Sequence, residues 1–200
     1  MTDLFKDRAE DYDANDIPQR LSAGIGAAIA ERVELHDRLA VMDFGAGTGL
    51  VTGRIADKVG RVTAVDVSRS MLDKLAEKPA LQGKVEIVCQ NILDRKLDRR
   101  FDLIVSAMAM HHVQDTDALI GSLADHLGPG GRVALADLDA EDGQFHPPDA
   151  PEVHHAGFDR EALRQLLENH GLRDVDFTTA VTVQRDGRPY TVFLVVATKA

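Results

Sequence analysis

A glycine-rich turn between an apolar run and a helix-compatible run constrains the fold of this chain more than any other feature. Residues 39–44 read LAVMDF, and Gly45, Gly47 and Gly49 follow at alternate positions before the run 50–59. A buried strand, a tight turn and a helix make the first half of a βα unit. Such a turn lets a ligand approach backbone without a Cβ, and unpaired N–H groups at the helix start suit an anionic group. The stretch therefore predicts a nucleotide-like ligand.

The spacing of these glycines narrows the choice of ligand. A dinucleotide-binding turn reads G-x-G-x-x-G and would need its third glycine where Leu50 stands. The observed phrase D-F-G-A-G-T-G resembles motif I of the class I S-adenosylmethionine (SAM)-dependent methyltransferases, especially their small single-domain members. The resemblance implies S-adenosyl-L-methionine as the cofactor. It also implies an α/β fold, a Rossmann-like three-layer sandwich around a seven-stranded, mostly parallel sheet whose last strand is antiparallel.

Apolar periodicity and turn residues place the elements of such a fold along a single domain, 1–200. Helices are predicted over 17–35, 48–59, 68–78, 115–127 and 158–170, and strands over 39–43, 62–65, 84–89, 101–106, 132–136, 175–183 and 190–198. Thr48 is expected to cap the helix that follows the glycine turn. The last two strands are joined by the turn residues 186–189, D-G-R-P.

Composition restricts the compartment and the partners. There is one cysteine, Cys89, so no intrachain disulfide is expected, and no run of 18 apolar residues predicts a transmembrane helix. The N-terminal residues carry no apolar core of a signal peptide, so the sequence predicts a cytoplasmic protein. The formal net charge of −10 disfavours a nucleic-acid partner.

An acidic residue after the second predicted strand supplies the ribose site that the resemblance implies. Asp66 lies 21 residues after Gly45, where a carboxylate can accept hydrogen bonds from both ribose hydroxyls; the alternative is that it caps the helix over 68–78. Where the family usually has an Asp for the adenine amino group, Asn91 offers an uncharged amide oxygen. The resemblance implies a cofactor site made of Tyr12, Asp43, Gly45, Ala46, Gly47, Asp66, Val67, Met71, Asn91, Ile92, Ser106 and His112.

The first residues of the chain resemble a lid. Segment 1–16 contains A-E-D-Y-D, similar to the A-x-x-Y-D with which many small SAM methyltransferases begin, and there the segment folds over the cofactor. By that resemblance Tyr12 lies near the amino-acid end of SAM. The alternative is a frayed terminus with two aromatic residues packed on the surface.

Histidines follow the fourth predicted strand and recur after the fifth. His111 and His112 stand at the carboxyl end of the sheet, where α/β folds bind their ligands. His112 matches a histidine that is common in the family and can be structural, hydrogen-bonding across to a loop. The aperiodic segment 137–157 is expected to form the acceptor pocket, and it contains His146, His154 and His155. The candidate catalytic bases are His111, His146 and His155.

The resemblance implies in-line transfer of a methyl group from SAM to a small-molecule acceptor. Neither N-P-P-Y nor D-P-P-Y, the motif of the nucleic-acid amino methyltransferases, follows the fourth strand, which further disfavours a nucleic acid, and no membrane partner is expected. The acceptor atom, whether oxygen, nitrogen, sulfur or carbon, stays open.

Three alternatives remain at this point. A divalent ion in the segment 137–157 would orient a hydroxylated acceptor, although the spacing matches no standard zinc pattern. A regulatory protein that binds SAM or S-adenosylhomocysteine (SAH) without catalysis would need neither the histidine pair nor the long segment. A dehydrogenase is disfavoured by Leu50. The ligands of the divalent ion would be Asp142, His146, His154 and His155.

Overall fold

The computed structural model describes residues 3, 5–147, 150 and 152–200, except for the side chain of Asp7. Of the predicted lid 1–16 and pocket segment 137–157, residues 1, 2, 4, 148, 149 and 151 lie outside the described residues. No helix in the described part of the chain is long and apolar enough to cross a membrane.

Seven strands form one sheet in the order β3-β2-β1-β4-β5-β7-β6. Strand β7 is antiparallel to both of its neighbours, and the other four pairings are parallel. The predicted α/β fold, with a mostly parallel seven-stranded sheet and an antiparallel last strand, is therefore confirmed. The strands are Ala40–Phe44 (β1), Arg61–Asp66 (β2), Val85–Cys89 (β3), Phe101–Ala107 (β4), Leu127–Leu138 (β5), Leu172–Arg185 (β6) and Arg188–Lys199 (β7).

Helices cover both faces of the sheet. They are Lys6–Ala9 (α1), Asp16–Arg32 (α2), Thr52–Ile55 (α3), Arg69–Ala76 (α4), Thr116–His126 (α5) and Arg160–Asn169 (α6). Helices α2, α3 and α4 contribute to one hydrophobic core, and α5 and α6 contribute to a second. Along β1, Val41 enters the first core and Met42 the second, because successive side chains of a strand point to opposite faces. This arrangement makes the three layers.

The helix after the glycine turn is shorter than predicted. Helix α3 begins at Thr52, and a 3₁₀ turn, Ala56–Lys58, replaces its predicted second half. Gly49 has a φ of +79°, in the left-handed region that a right-handed helix cannot include. The prediction that Thr48 caps this helix is therefore wrong, and its hydroxyl donates instead to the carboxylate of Asp13 (2.5 Å).

The carboxyl ends of the parallel strands open into the main cavity, of about 1260 Å³. Strand β6 runs in the same direction as β1 to β5, so the hairpin that follows it also lies at this edge. Residues from the N-terminal segment, the glycine turn, the ends of β2 and β4, and the β6–β7 hairpin all line the cavity. Such an edge is where open α/β sheets bind ligands.

Candidate functional site

The glycine turn borders the cavity with its backbone. A Cβ on Gly45 would lie 2.3 Å from the Cβ of Ala109, whereas a Cβ on Gly47 would meet nothing within 4 Å and would project into open space. The N–H groups of Gly45 and Ala46 donate to the carbonyl of Val65 (2.8 and 3.2 Å), and that of Gly47 donates to Asp66. The expectation of unpaired N–H groups for an anion is therefore wrong for these three residues.

Asp66 lies at the end of β2 and lines the cavity. Its carboxylate accepts hydrogen bonds from the N–H groups of Gly47 (2.7 Å) and Ser68 (2.8 Å), one on each oxygen. Each oxygen keeps a second lone pair, so the carboxylate can still accept from the two hydroxyls of a diol. Burial raises the pKa of this carboxyl. The alternative role as a helix cap falls to Ser68, whose hydroxyl accepts from the N–H of Met71 (3.3 Å).

Asp43, the last but one residue of β1, is a second acid on the cofactor side of the cavity. Its side chain is buried and accepts a hydrogen bond from the hydroxyl of Thr52. Burial raises the pKa of the Asp43 carboxyl to about 7, and the neighbouring charge of Asp66 adds to this effect. Two adjacent buried acids favour a cationic ligand, which would stabilise their ionised forms.

An apolar platform adjoins Asp66. Val67 and Leu93 are the exposed large hydrophobic residues of the described chain, at 46% and 37% exposure, and both line the cavity. Met71 and Asn91 line it as well, although the amide oxygen of Asn91 already accepts from the N–H of Leu93 (3.0 Å). A flat apolar ligand such as an adenine would cover this platform. Sequence reasoning missed Leu93 because it opens the charged stretch 93–100, LDRKLDRR, which has no apolar periodicity.

The N-terminal segment lies over the cavity. Phe5, Arg8 and Tyr12 line it, and burial, followed by the charges of nearby acids, raises the pKa of the Tyr12 phenol. The carboxylate of Asp3 accepts from the hydroxyl of Ser68 and from both the hydroxyl and the N–H of Ser70, each at 2.8 Å. The segment is thus held against α4 beside the cavity, where the predicted lid would have to lie.

His111 is held by an acid that the predicted site did not include. Its Nδ1 lies 2.8 Å from the carboxylate of Asp137 at the end of β5, and both side chains are buried. The same carboxylate accepts from the backbone N–H groups of His111 (3.2 Å) and Leu138 (2.8 Å). Because a carboxylate only accepts, the proton of the neutral His111 ring lies on Nδ1, and Nε2 of that neutral form carries a lone pair. That Nε2 is buried and has no hydrogen-bond partner.

Two further histidine rings pack against His111, tilted by 47° and 40° relative to its plane. The ring centroids of His112 and His146 lie 4.1 and 4.6 Å from that of His111. The Nδ1 of His112 donates to the carbonyl of Glu152 (2.8 Å), a bond across to the loop of the kind that the sequence suggested for this residue. Burial and then the neighbouring His111 lower the pKa of His112 to about 4 and that of His146 to about 3. Both rings are therefore neutral near pH 7.

The structure corrects the prediction that His155 is catalytic. Its Nε2 lies 3.0 Å from the carbonyl of Val113 and 3.2 Å from the hydroxyl of Thr116, and its ring does not line the cavity. The N–H groups of His154 and His155 also reach the carbonyl of His111 (2.9 and 3.3 Å). These contacts fasten the second half of the pocket segment to the loop after β4, so His155 has a structural role.

Two predicted cofactor contacts point elsewhere. The side chains of Ile92 and Ser106 are fully buried and do not line the cavity, and Ile92 packs in the core on the α5 and α6 face. Ser106 follows the alternation of β4 to the same face, whereas Ala107 and Met108 turn toward the cavity. Neither side chain can contact a ligand there.

The proposed metal ligands are not brought together. His146 lies in the cavity, His154 is exposed, and Asp142 pairs with Arg188 (2.9 Å) on the β6–β7 hairpin. Among the described residues, no group of three or more His, Cys, Asp and Glu side chains is placed to hold a metal ion. The geometry gives the metal-assisted alternative no support.

Several residues of the site carried little signal in the sequence. Asp137 is buried and does not line the cavity, but it directly follows the predicted strand 132–136 at the ligand edge, which could have identified it. Phe145 and Arg185 come from an aperiodic segment and a hairpin, and only the tertiary structure brings them to the histidines. Met108, which lines the cavity, has a φ of +55°, a left-handed conformation that is uncommon for a residue with a Cβ.

Known proteins resemble this chain in sequence. The methyltransferase domain family matches residues 9–176. The cypemycin N-terminal methyltransferase of a Streptomyces species is 34% identical over 135 residues, 64% of this chain and 55% of that protein. The O-methyltransferase resE of Aspergillus sclerotiorum is 28% identical over 187 residues, 88% of this chain and 68% of that protein. The chain thus spans about half to two thirds of the length of these curated relatives.

A solved structure shares the fold. The N-methyltransferase NodS from Bradyrhizobium japonicum WM9, in complex with SAH, superposes with a TM-score of 0.72 over 98% of this chain and 99% of that one. The two sequences are 19% identical, so the likeness concerns the fold alone.

Proposed function

Since this chain belongs to the methyltransferase domain family, we propose that it transfers a methyl group from SAM to a small-molecule acceptor in its main cavity, by in-line displacement. The observation that carries the proposal is the arrangement around Asp66. The Asp66 carboxylate keeps lone pairs that can accept from a diol. Beside it lie the glycine turn, with open space at Gly47, and the apolar platform of Val67 and Leu93.

The described residues fit SAM. Asp66 would hold the ribose hydroxyls, and Val67, Met71 and Leu93 would flank the adenine. The buried Asp43 would stabilise positive charge at the methionine end, beside the turn residues Gly45 to Gly47. The backbone of the turn can approach the ligand closely because no Cβ stands at Gly47.

When bound, SAM supplies an electrophilic methyl carbon. The residues of this chain position the acceptor, exclude water and accept a proton. The N-terminal segment covers the cavity with Phe5 and Tyr12. We propose Nε2 of His111 as the base that accepts this proton, a role supported by Asp137, which lies against Nδ1 and would stabilise the imidazolium that forms. His146, with a pKa of about 3, is too weak a base for this role near pH 7.

A small molecule is the proposed acceptor. The cavity is large enough for SAM and a second ligand, and the net charge of −10 disfavours a nucleic acid. The names of the two curated relatives give different methylated groups, an amino terminus and an oxygen, so they do not decide the atom here.

Calorimetric titration with SAM, SAH and NADH tests the proposal. Wild-type protein is expected to bind SAM and SAH but not NADH. Asp66→Ala should weaken SAH binding by roughly tenfold or more, because it removes a charged acceptor of two hydrogen bonds. Asp73→Ala is the matched control, since Asp73 lies on the exposed side of α4, paired with Arg69 (3.0 Å). Absence of SAM and SAH binding to the wild type would overturn the proposal.

A further inference from the structure

A continuous wall of rings runs along the acceptor side of the cavity. It starts at Phe5 and ends under the guanidinium of Arg185, and we call it the ring wall. Its centroid distances are 5.3 Å for Phe5–His112, 4.1 Å for His112–His111, 4.6 Å for His111–His146 and 4.9 Å for His146–Phe145, and Arg185 lies 5.4 Å from the Phe145 centroid. All six residues line the cavity.

Two nitrogen atoms of the ring wall require partners. Nε2 of His111 and Nε2 of His146 are buried and have no hydrogen bond. The neutral form of His111 offers a lone pair there, because the single proton of that form is on the Nδ1 that faces Asp137. A group that satisfies this lone pair must donate a proton, so a hydroxyl suits the position and a carboxylate does not.

Arg185 gives one end of the ring wall a positive charge. Burial and neighbouring histidines lower the pKa of His112 and His146, and the charge of Asp137 acts in the opposite direction on both. The carboxylate closest to the Arg185 guanidinium belongs to Asp186, 3.8 Å away and 91% exposed. The buried Asp137 is already satisfied by three N–H donors. An anionic group at the Arg185 end of the ring wall can therefore pair with the guanidinium, because the carboxylate nearest to it is exposed to solvent.

We infer that the acceptor is a flat organic anion, a hydroxylated aromatic or enolic acid, whose hydroxyl faces Nε2 of His111 and whose acid group faces Arg185. The edges and faces of the wall's aromatic rings, together with the apolar lining residues Ile17, Pro18 and Leu21 of α2, suit a planar apolar body between these two ends. This inference rests on the proposed function and specifies its substrate class.

The reaction is then formation of a methyl ether. The hydroxyl oxygen forms the new bond to the methyl carbon while the carbon–sulfur bond breaks and its electron pair stays on sulfur. The hydroxyl proton passes to Nε2 of His111, and the imidazolium pairs with Asp137 before it releases the proton to solvent. The products are the O-methylated acid and SAH.

Three probes that differ in one substituent test the inference by binding rather than by activity. Protein loaded with SAH is titrated with 4-hydroxybenzoate, with the neutral 4-hydroxybenzyl alcohol and with the cationic tyramine. The expected order of affinity is 4-hydroxybenzoate first, the alcohol second and tyramine last. Equal affinities, tighter binding of tyramine or no binding of 4-hydroxybenzoate to SAH-loaded protein would overturn the inference.

Variants of Arg185 locate the acid group. Arg185→Gln should weaken 4-hydroxybenzoate binding by about tenfold or more and change binding of the alcohol by less than about twofold. Arg185→Lys keeps the charge and should restore part of the affinity. Arg173→Gln is the control, because Arg173 is exposed at the opposite end of β6. An equal effect of Arg185→Gln on both probes would contradict the placement of the acid group.

The methylated atom gives an independent readout. With SAM and 4-hydroxybenzoate, mass spectrometry should find 4-methoxybenzoate, and formation of the methyl ester instead would overturn the placement of the hydroxyl at His111. Failure of the proposed function shows as loss of SAM and SAH binding in the wild type. Failure of this inference alone shows as normal SAH binding with the wrong acceptor preference.

Discussion

Asp43, which is buried, and Asp66, which is partly buried, interact electrostatically and make the ligand-free cofactor site unfavourable. Burial raises the pKa of both carboxyls, the charge of Asp66 adds to this effect at Asp43, and the charge of Asp3 adds to it at Asp66. A ligand that brings a positive charge relieves this cost. The site is therefore expected to bind its ligand and release protons in the same step.

The pH dependence of SAH binding follows from Asp43. An acid whose pKa is raised by folding, here from 3.8 to about 7, contributes stability below pH 3.8 that is lost as the pH rises through 7. The ammonium group of SAH favours the carboxylate, so affinity should increase with pH up to about 7, by at most roughly tenfold per pH unit for one released proton. Calorimetry in buffers of different ionisation enthalpy measures this proton directly.

The variant Asp43→Asn tests whether Asp43 couples proton release to SAH binding. It should bind SAH more weakly and with a flatter pH profile, because one of the titrating acids is gone. His112 and His146 have pKa values of about 4 and 3, so their titration lies below the window of interest. If the pH dependence of SAH affinity is unchanged in Asp43→Asn, the Asp43 carboxyl does not couple proton release to SAH binding.

Alanine substitutions at two glycines of the turn should affect stability and ligand binding differently. Gly45 and Gly47 have φ values of +68° and +53°, so an alanine at either position costs about 1–2 kcal/mol of backbone strain. At Gly45 the added Cβ also meets the Cβ of Ala109 at 2.3 Å, whereas at Gly47 it enters the open cavity. Gly45→Ala should therefore lower the Tm more than Gly47→Ala does.

The binding measurement completes that comparison. Gly47→Ala should lower the Tm by about 3–6 °C and weaken SAH binding, because the methyl group occupies space meant for the ligand. Calorimetry of both variants at a temperature where each is folded gives the affinities. Wild-type affinity in Gly47→Ala would mean that the ligand does not pass over this residue.

At the scale of elements, α4 serves as the docking face for the N-terminal segment. Three acidic residues of that segment meet side chains spaced four residues apart along α4 and just past its end, which is one face of a helix. The contacts are Asp3 with Ser70 (2.8 Å), Glu10 with Lys74 (2.6 Å) and Asp13 with Lys78 (2.5 Å). The helix that begins beside Asp66 thus also holds the cover of the cavity.

The double variant Lys74→Gln/Lys78→Gln should loosen this cover. Ion pairs at the surface are individually weak, so hydrogen exchange of residues 5–16 should accelerate by no more than a few-fold, with a matching loss of SAH affinity. SAH should slow that exchange in the wild type. The double variant Lys84→Gln/Lys96→Gln is the control, since those lysines pair with Asp57 and Asp125 elsewhere on the surface. If the hydrogen-exchange rate of residues 5–16 changes neither with SAH nor in Lys74→Gln/Lys78→Gln, a lid is excluded.

The local sequence predicted which helices and strands form better than it predicted where they begin and end. The strands around the glycine turn were predictable because both faces of the sheet are buried, which leaves continuous apolar runs such as Leu103 to Val105. The predicted start of the helix at residue 48 was wrong because Gly49 has a left-handed φ, at a point where an added Cβ would lie 2.7 Å from the side chain of Leu75. Such tertiary contacts leave no periodic pattern in the sequence.

At the scale of the molecule, the two halves of the cavity differ in how much the sequence says about them. The cofactor half lies within one motif and the ends of neighbouring strands, so Asp66 and Gly47 could be identified by spacing. The acceptor half assembles Phe5, His111 and Arg185 from distant parts of the chain. His155 was misassigned for the same reason, because only the closed loop shows that its ring faces Val113.

The loop that brings Phe145 and His146 into the acceptor half is closed at its neck. The N–H of Phe158 donates to the carbonyl of Leu138 (2.9 Å), and the N–H of Ala140 donates to the carbonyl of Phe158 (3.1 Å). Gly157, with a φ of +74°, passes so close that an added Cβ would lie 2.1 Å from the carbonyl oxygen of Asp139. The neck is distant in sequence from the cofactor half, so its integrity and cofactor binding should be separable.

Ligand-induced stabilisation of the whole molecule tests this separation. SAH at 100 times its Kd should stabilise the fold by about 2.7 kcal/mol, which raises the Tm by roughly 5–10 °C for a chain of this size. Gly157→Ala should lower the Tm of the free protein and reduce binding of 4-hydroxybenzoate, yet keep the SAH-induced increase. Asp66→Ala should show the opposite pattern, with a nearly unchanged Tm of the free protein and a much smaller SAH-induced increase in Tm. Differential scanning calorimetry measures both quantities, and a loss of the SAH effect in Gly157→Ala would mean that the two halves of the cavity form one cooperative unit.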